Sequence, residues 1–510
     1  MKTKQLLACG VAISLLLSSV LIGCKSDDPE DSFDPDAPGD DFSGSIADKE
    51  ENNEKPQEPV DEGDETKTYY IASADDLRNM KRKGTYILTA DIDLSGSEWT
   101  PIGTYNAPFI GSFDGAGHTI TGLTVTKDIE GPGECISYSY AYAGLFGYAD
   151  GATVKNVKLK DVDIKVESTG EYRVVYASAI VGMAVDTTVS DCEILSGSIT
   201  AKSVFFKAYS AGITAFSFGS TFTGCNVNAD ISVTGSSITS VAGGLVAQIG
   251  LKTIVTGCTT SGSVSTVSTD GNSYSGGLIG YINNSSVSRC SSSANVTART
   301  ECDESEKGKA GACFAGGIAA YSGNTLSEIN TISVVSSSGS VTATSVDYAA
   351  YAGGLTGYIA FTSVTHAYSS SKISASSDIR ESFAGGITAY TSSNVTYDGI
   401  FFAGSLAVNA TKDDPRCGLL NAYNSAEEEK PTVIKDFAYL TLSEIAPSIN
   451  GCSYGSNDFP TDNLLIAGEE YTSAALKSKN ILTSDLGWDA SDWSFSMAGF
   501  PTVVLTESND

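Results

Sequence analysis

Along most of this chain an aliphatic residue recurs just after a pair of small residues, usually glycines. The positions are Leu145, Ile180, Ile213, Leu245, Leu278, Ile318, Leu355, Ile387 and Leu419, at intervals of 35, 33, 32, 33, 40, 37, 32 and 32 residues. A unit of that length cannot enclose a core alone, so a chain built this way must stack its units and bury their apolar faces against one another.

Within each unit the apolar residues fall into three short runs divided by turn residues. The first holds the anchor. The second carries two apolar residues three apart: Val154/Val157, Val189/Cys192, Phe222/Cys225, Val255/Cys258 and Val287/Cys290. The third supplies Ile199, Ile231, Val264, Val296, Val341, Ile373 and Leu406. Three brief strands joined by tight corners predict one rung of an all-β, right-handed parallel β-helix, with equivalent residues piled at roughly 4.8 Å. Nine rungs and end coils predict a rod roughly 50–70 Å long on that rise. The Asn-Gly and Asp-Gly turns of antiparallel hairpins are missing between the runs, which argues against a β-sandwich. With 52 glycines and only 18% charged residues, the composition also suits small side chains and tight turns.

Side-chain alternation assigns faces to the columns. Four residues before the anchors stand Tyr176, Tyr209, Val241, Tyr274, Phe314, Tyr351 and Phe383, an even offset that predicts an aromatic column inside the rod. Three residues after them stand Tyr148, Met183, Phe216, Gln248, Tyr281, Tyr321, Tyr358 and Tyr390. If the strand runs straight, this odd offset points outward. Tyr148, Phe216, Tyr281, Tyr321, Tyr358 and Tyr390 then form a candidate glycan platform, combining ring faces with hydroxyl groups. A bend at the preceding small residue would instead fold the rings back over the corner. Cys192, Cys225, Cys258 and Cys290 are expected to be buried free thiols, since in-register parallel side chains point the same way. Cys302 and Cys313 bracket the insertion that lengthens one unit to 40 residues, and a disulfide closing it is expected outside the cytoplasm.

The N-terminus carries different information. Lys2 and Lys4 precede an apolar run that ends Leu21-Ile22-Gly23-Cys24. This resembles a bacterial lipoprotein signal peptide spanning 1–24, which implies cleavage before Cys24 and acylation of that residue, palmitate included. The next 41 residues, 25–65, hold 17 acids and 3 lysines, a net of 3 − 17 = −14 out of −30 for the chain. Such a segment cannot bury enough apolar surface to offset its chain entropy, so 25–66 is expected to be a disordered, self-repelling tether. Lys25-Ser26-Asp27-Asp28 resembles the export tag of surface-displayed Gram-negative lipoproteins, which implies exposure at the cell surface. A periplasm-facing outer-membrane lipoprotein is the alternative.

The motif G-G-L-x-G, followed by x-x-x-V-x-x-C and G-x-V, resembles the GLUG-motif repeat of bacterial surface and secreted proteins. Residues 69–103 (YYIASADDLRNMKRKGTYILTADIDLSGSEWTPIG), the F-D-G-A-G-H run at 113–118 and the C-terminal W…FP pattern fit the same family. The resemblance implies a cap with a short helix around Asp75–Lys81 and first coils over 67–135, repeats over 136–424, and a closing coil and cap over 425–510. It implies a scaffold more than an activity. No His-Glu-x-x-His motif occurs among the two histidines, so metalloprotease chemistry does not carry over.

Catalysis has little to work with. Residues 175–300 hold five acids and five bases. Asp191 and Glu193 flank Cys192, with Lys158 expected one rung before Glu193 and Asn226 one rung after. This group is the place where a polysaccharide lyase or glycoside hydrolase would sit, but the expectation is a cross-rung Lys158–Glu193 ion pair on a solvated face. Asp114 in FDGAGH is expected to cap backbone amides, with Gly115 and Gly117 in dihedrals other residues avoid, and His118 to be structural. No metal or cofactor site is indicated, and the acidic balance argues against nucleic acid. The expectation is a non-enzymatic surface protein held in the outer membrane by lipid on Cys24, contacting glycan or a host or cell-surface protein.

Overall fold

The computed structural model describes residues 63–129, 139–170, 173–235, 238–301, 311–324, 328–410, 415–426, 430–440, 449–450, 468–496 and 499–505. Cys24, nearly all of the expected tether, and Cys302 lie outside these residues.

The described chain is an all-β parallel solenoid. Two nine-stranded parallel sheets and one 27-stranded sheet hold every strand but an antiparallel pair near the C-terminus. The anchors make the vertical row that the repeat requires. Ile213 N donates to Leu245 O at 2.9 Å, Leu245 N to Leu278 O at 2.8 Å, and Leu278 N to Ile318 O at 3.0 Å. From Leu145 to Ile387 they are almost completely buried. The final anchor differs from the expectation. Ile387 N donates to Leu420 O at 3.0 Å, and Gly385 and Thr388 pair with Gly418 and Asn421. Leu420 therefore occupies the anchor position, and Leu419 lies under Gly386.

The third-run residues stack without a slip, from Ile164 on Ile199 through Ile231, Val264, Val296, Val341 and Ile373 to Leu406. The second-run residues Val154, Val189, Phe222, Val255 and Val287 do the same, all fully buried.

Each rung has more corners than three straight runs would give. In the rung of Leu278 the first run divides at Gly276-Gly277 into strands Asn272–Gly276 and Ile279–Ile282, which belong to different sheets. The second run bends at one left-handed residue. Asn156, Asp191, Gly224, Gly257, Arg289, Val334, His366, Gly399 and Asp436 all have φ between 44° and 65°, and the residues before them are in register from Lys155 to Lys435. A left-handed residue turns the strand sharply while its neighbours stay in the ladder.

At the N-terminal end a helix, Ala74–Arg78, begins where Ser73 Oγ accepts from Asp76 N at 3.2 Å, and its Leu77 is fully buried. At the other end of the chain, helices Ser473–Leu476 and Lys479–Ser484 lead to two stretches, 486–496 and 499–505, that lie along the flank of the rod. Trp488 Nε1 donates to Gly399 O at 2.7 Å, Tyr368 Oη donates to Pro501 O at 2.7 Å, and Arg289 Nη1 pairs with Asp492 Oδ1 at 2.5 Å. This clasp follows the left-handed corner, where a side chain on Gly399 would run into Leu486 O and one on Gly257 into Leu505 O.

Candidate binding surfaces

The two aromatic columns keep their register but not their expected faces. Tyr142, Tyr176, Tyr209, Val241, Tyr274, Phe314, Tyr351 and Phe383 stack in one sheet. Tyr148, Met183, Phe216, Gln248, Tyr281, Tyr321, Tyr358, Tyr390 and Tyr423 stack in the next. The first column was expected inside the rod, yet its aromatic rings are not part of the main core that Leu278 and Ile282 help to form. They pack instead against the second column. Tyr274 meets Tyr281 edge-on at 6.1 Å, and Phe314 meets Tyr321 edge-on at 6.1 Å. Along each column the rings stack face to face, Phe314 on Tyr351 at 4.8 Å and Tyr321 on Tyr358 at 4.4 Å.

The candidate glycan platform is consequently closed. Tyr148, Phe216, Tyr281, Tyr321, Tyr358 and Tyr390 are between 3% and 8% exposed, so no open ladder of ring faces exists there. The Gly-Gly corner is the cause, because it folds the two strands so that both ring rows share one trough. Burial pushes the hydroxyls of Tyr148, Tyr281 and Tyr321 well above the usual tyrosine range. At the last rung Arg416 takes the place of the aromatic and lies over Tyr423 at 4.8 Å and Phe383 at 5.6 Å. At the first rung Tyr105, 40% exposed, closes the trough edge-on to Tyr148.

Cys192, Cys225, Cys258 and Cys290 are buried free thiols in one internal column, and burial raises Cys192 and Cys258 far above the ordinary thiol range. Cys313 is likewise buried and free, whereas the Cys302 expected to pair with it lies outside the described residues. Cys417 is disulfide-bonded. Since the other described cysteines are free, its partner lies outside the described residues.

Lys158, Glu193 and Asn226 stack as expected, but no ion pair joins Lys158 to Glu193 among the described residues. Asp114 accepts from Ala116 N at 2.8 Å and Asn156 Nδ2 at 2.9 Å, and pairs with Lys155 at 3.3 Å. Burial works to raise its carboxyl, and these partners outweigh it and hold the group low. In that turn Gly117 (φ 81°) and Ala116 (φ 48°) carry the left-handed conformation. Gly115 is needed instead for the close approach of Asn156. His118 Nδ1 lies 3.2 Å from Asp91 on the surface. Sequence reading missed Asp150, an exposed residue whose carboxyl is nonetheless raised, by partial desolvation and by the charge of Asp186 in the following rung. Only the stacking register brings those two together.

What remains open is polar. On the third run the outward column Thr200, Ser232, Ser265, Thr297, Thr342 and Ser374 crosses six rungs, and Thr200 Oγ1 and Ser232 Oγ share a hydrogen bond at 3.0 Å. Beside the clasp runs a second outward column, Asn226, Thr259, Ser291, Ser336 and Tyr368. Among the described residues no group of three or more His, Cys, Asp or Glu side chains is placed to hold a metal ion, and no helix is long and apolar enough to cross a membrane.

The class these observations define is a parallel β-solenoid with hydroxyl-lined outer faces. No family model and no curated protein matches the chain. Among solved structures, a Bacteroides ovatus protein described as a "putative immunoglobulin A1 protease" is similar at 14% identity, covering 88% of this chain and 95% of that one with a TM-score of 0.35. A likeness of that size bears on neither the activity nor the partners of this chain.

Proposed function

We propose that this is a lipid-anchored, GLUG-like β-helical protein of the outer membrane, exposed at the cell surface, that binds glycan or a host or cell-surface protein without cleaving it. The observation that carries the reading is one outward column of the third run, Thr200 to Ser374, where hydroxyl-bearing side chains repeat in register over six rungs between columns that carry only scattered charges such as Asp230, Arg299 and Lys372. A regular array of donors and acceptors on rigid strands suits an extended partner, and it offers no acid and base at catalytic spacing. The lipobox-like ending at Cys24 supports anchoring, and the disulfide at Cys417 fits an oxidising compartment.

The test is a glycan-array and host-protein binding screen of the full chain, with product analysis on polysaccharides run beside it. Saturable binding without released product is expected. Released oligosaccharide would overturn the non-enzymatic reading. Cys24→Ser should abolish incorporation of labelled palmitate and free the protein from the membrane fraction, and unchanged labelling would remove the anchor.

A further inference from the structure

The clasp and the rod enclose a groove of about 360 Å³. Its floor is the outward column Asn226, Thr259, Ser291 and Ser336, which ends at Tyr368. Four steps at roughly 4.8 Å make this ladder about 19 Å long. Thr259 Oγ1 donates to Asn226 Oδ1 at 2.9 Å, so the floor is pre-ordered. On the other side Val503 and Leu505 of the clasp form an apolar wall, and Leu505 is 38% exposed. No lining residue carries a charge.

The clasp also holds an unanswered donor. Trp493 is 2% exposed and its Nε1 has no acceptor, although it pairs with the groove wall at Val503 and lies 5.7 Å from the Tyr368 ring. It is not one of the residues that line the groove.

We infer that this groove binds a neutral oligosaccharide lying along the ladder, with its hydroxyl rim on Asn226, Thr259 and Ser291 and its C–H faces against Val503 and Leu505. This deepens the binding reading above and rests on it. The chemistry favours a sugar over the alternatives. An anionic glycan would find no cation in the lining, and a peptide would find one narrow apolar strip and no unpaired strand edge in the floor. A pyranose chain presents hydroxyls and C–H faces on opposite sides, as the groove does. The rung spacing is close to the advance of one sugar unit.

The experiment is calorimetric titration of the full chain with neutral, uronic-acid-containing and amino-sugar oligosaccharides. Ser291→Phe fills the floor, and Leu505→Asp charges the wall. Thr188→Phe, exposed on strand Thr188–Ser190 and part of neither hydroxyl column, is the control. Neutral oligosaccharides should bind, and both groove variants should weaken them by tenfold or more, with the control within twofold. Circular dichroism should show all three variants folded. If Ser291→Phe does not fold, Leu505→Asp decides alone. Neutral-glycan binding unmoved by the groove variants would overturn the groove and leave the surface-binding reading standing. Failure of every neutral oligosaccharide to bind would also overturn it, and the host-protein screen would then judge the broader reading separately.

Discussion

The rings of Tyr321 and Tyr358 lie 4.4 Å apart and within 6° of parallel, one rung above the other. Phe314 and Tyr321, from the two sheets that meet at the Gly-Gly corner, stand edge to face at 86°. This arrangement turns a row of tyrosines that reads as a ligand platform into a second apolar layer. Tyr321→Ala should therefore cost about 3–4 kcal/mol in urea denaturation, as expected for deleting a buried aromatic. It should leave ligand affinity unchanged below the melting transition. A variant as stable as the native chain would show the trough to be loosely packed.

The same burial governs the response to alkali. The trough hydroxyls ionise above the ordinary tyrosine range, and those of Tyr368 and Tyr397 are pushed up to about 12. Groups with raised folded values stabilise the fold fully below the unfolded value, and that contribution is lost as pH rises through the folded one. Absorbance at the tyrosinate band should count well short of all 24 tyrosines until the chain unfolds in alkali. Smooth titration of the full set before unfolding would contradict the trough.

Asp150 gives the opposite kind of pH test. Its carboxyl is raised, so the fold favours its protonated form, and that contribution disappears as pH climbs out of the carboxylate range. Asp150→Asn should melt slightly higher than the native protein at neutral pH, with the gap closing in acid. A gap that widens in acid would reverse the sign.

Thiol chemistry should separate the cysteines. Cys192, Cys225, Cys258, Cys290 and Cys313 should resist a thiol reagent until denaturant is added, because all are buried. Non-reducing peptide mapping should find Cys417 in a disulfide, and reduction should cost about 2–4 kcal/mol. Labelling of Cys417 in the native, unreduced protein would contradict the bond.

The clasp should come loose when its ion pair is broken. Arg289 and Asp492 are 23% and 11% exposed at their side chains, so Arg289→Met leaves a partly buried carboxylate unpaired and should cost roughly 3 kcal/mol. Limited proteolysis should then cut within 486–505 before the rod. Equal protease resistance in variant and native chain would mean that the aromatic contacts hold the clasp alone.

The rod was legible because its period is written in large apolar residues. Ile199 through Leu406 could be placed by counting, and they stack as counted even where Val341 falls out of step with its anchor. What failed was parity across a corner. Alternation holds within one strand, and Tyr274 and Tyr281 belong to two strands separated by Gly276-Gly277, so an even and an odd offset ended on the same trough. Leu419 was misplaced for another reason, since Gly418-Leu419 stands where the usual glycine pair does and the anchor is the next residue, Leu420. The W…FP pattern marked a closing segment, but its seat on the flank of the rod left no signal. Contacts such as Arg289 with Asp492 join residues 203 apart in sequence, and no periodicity predicts them.

Nine residues separate Glu301 from Gly311, yet Thr300 still stacks on Ser345 and Cys313 on Ser273. Vertical alignment is thus indifferent to how much chain is carried at that edge. A peptide spliced between Glu301 and Gly311 should therefore leave the layers on either side in register, which makes this junction the natural place to present foreign sequence.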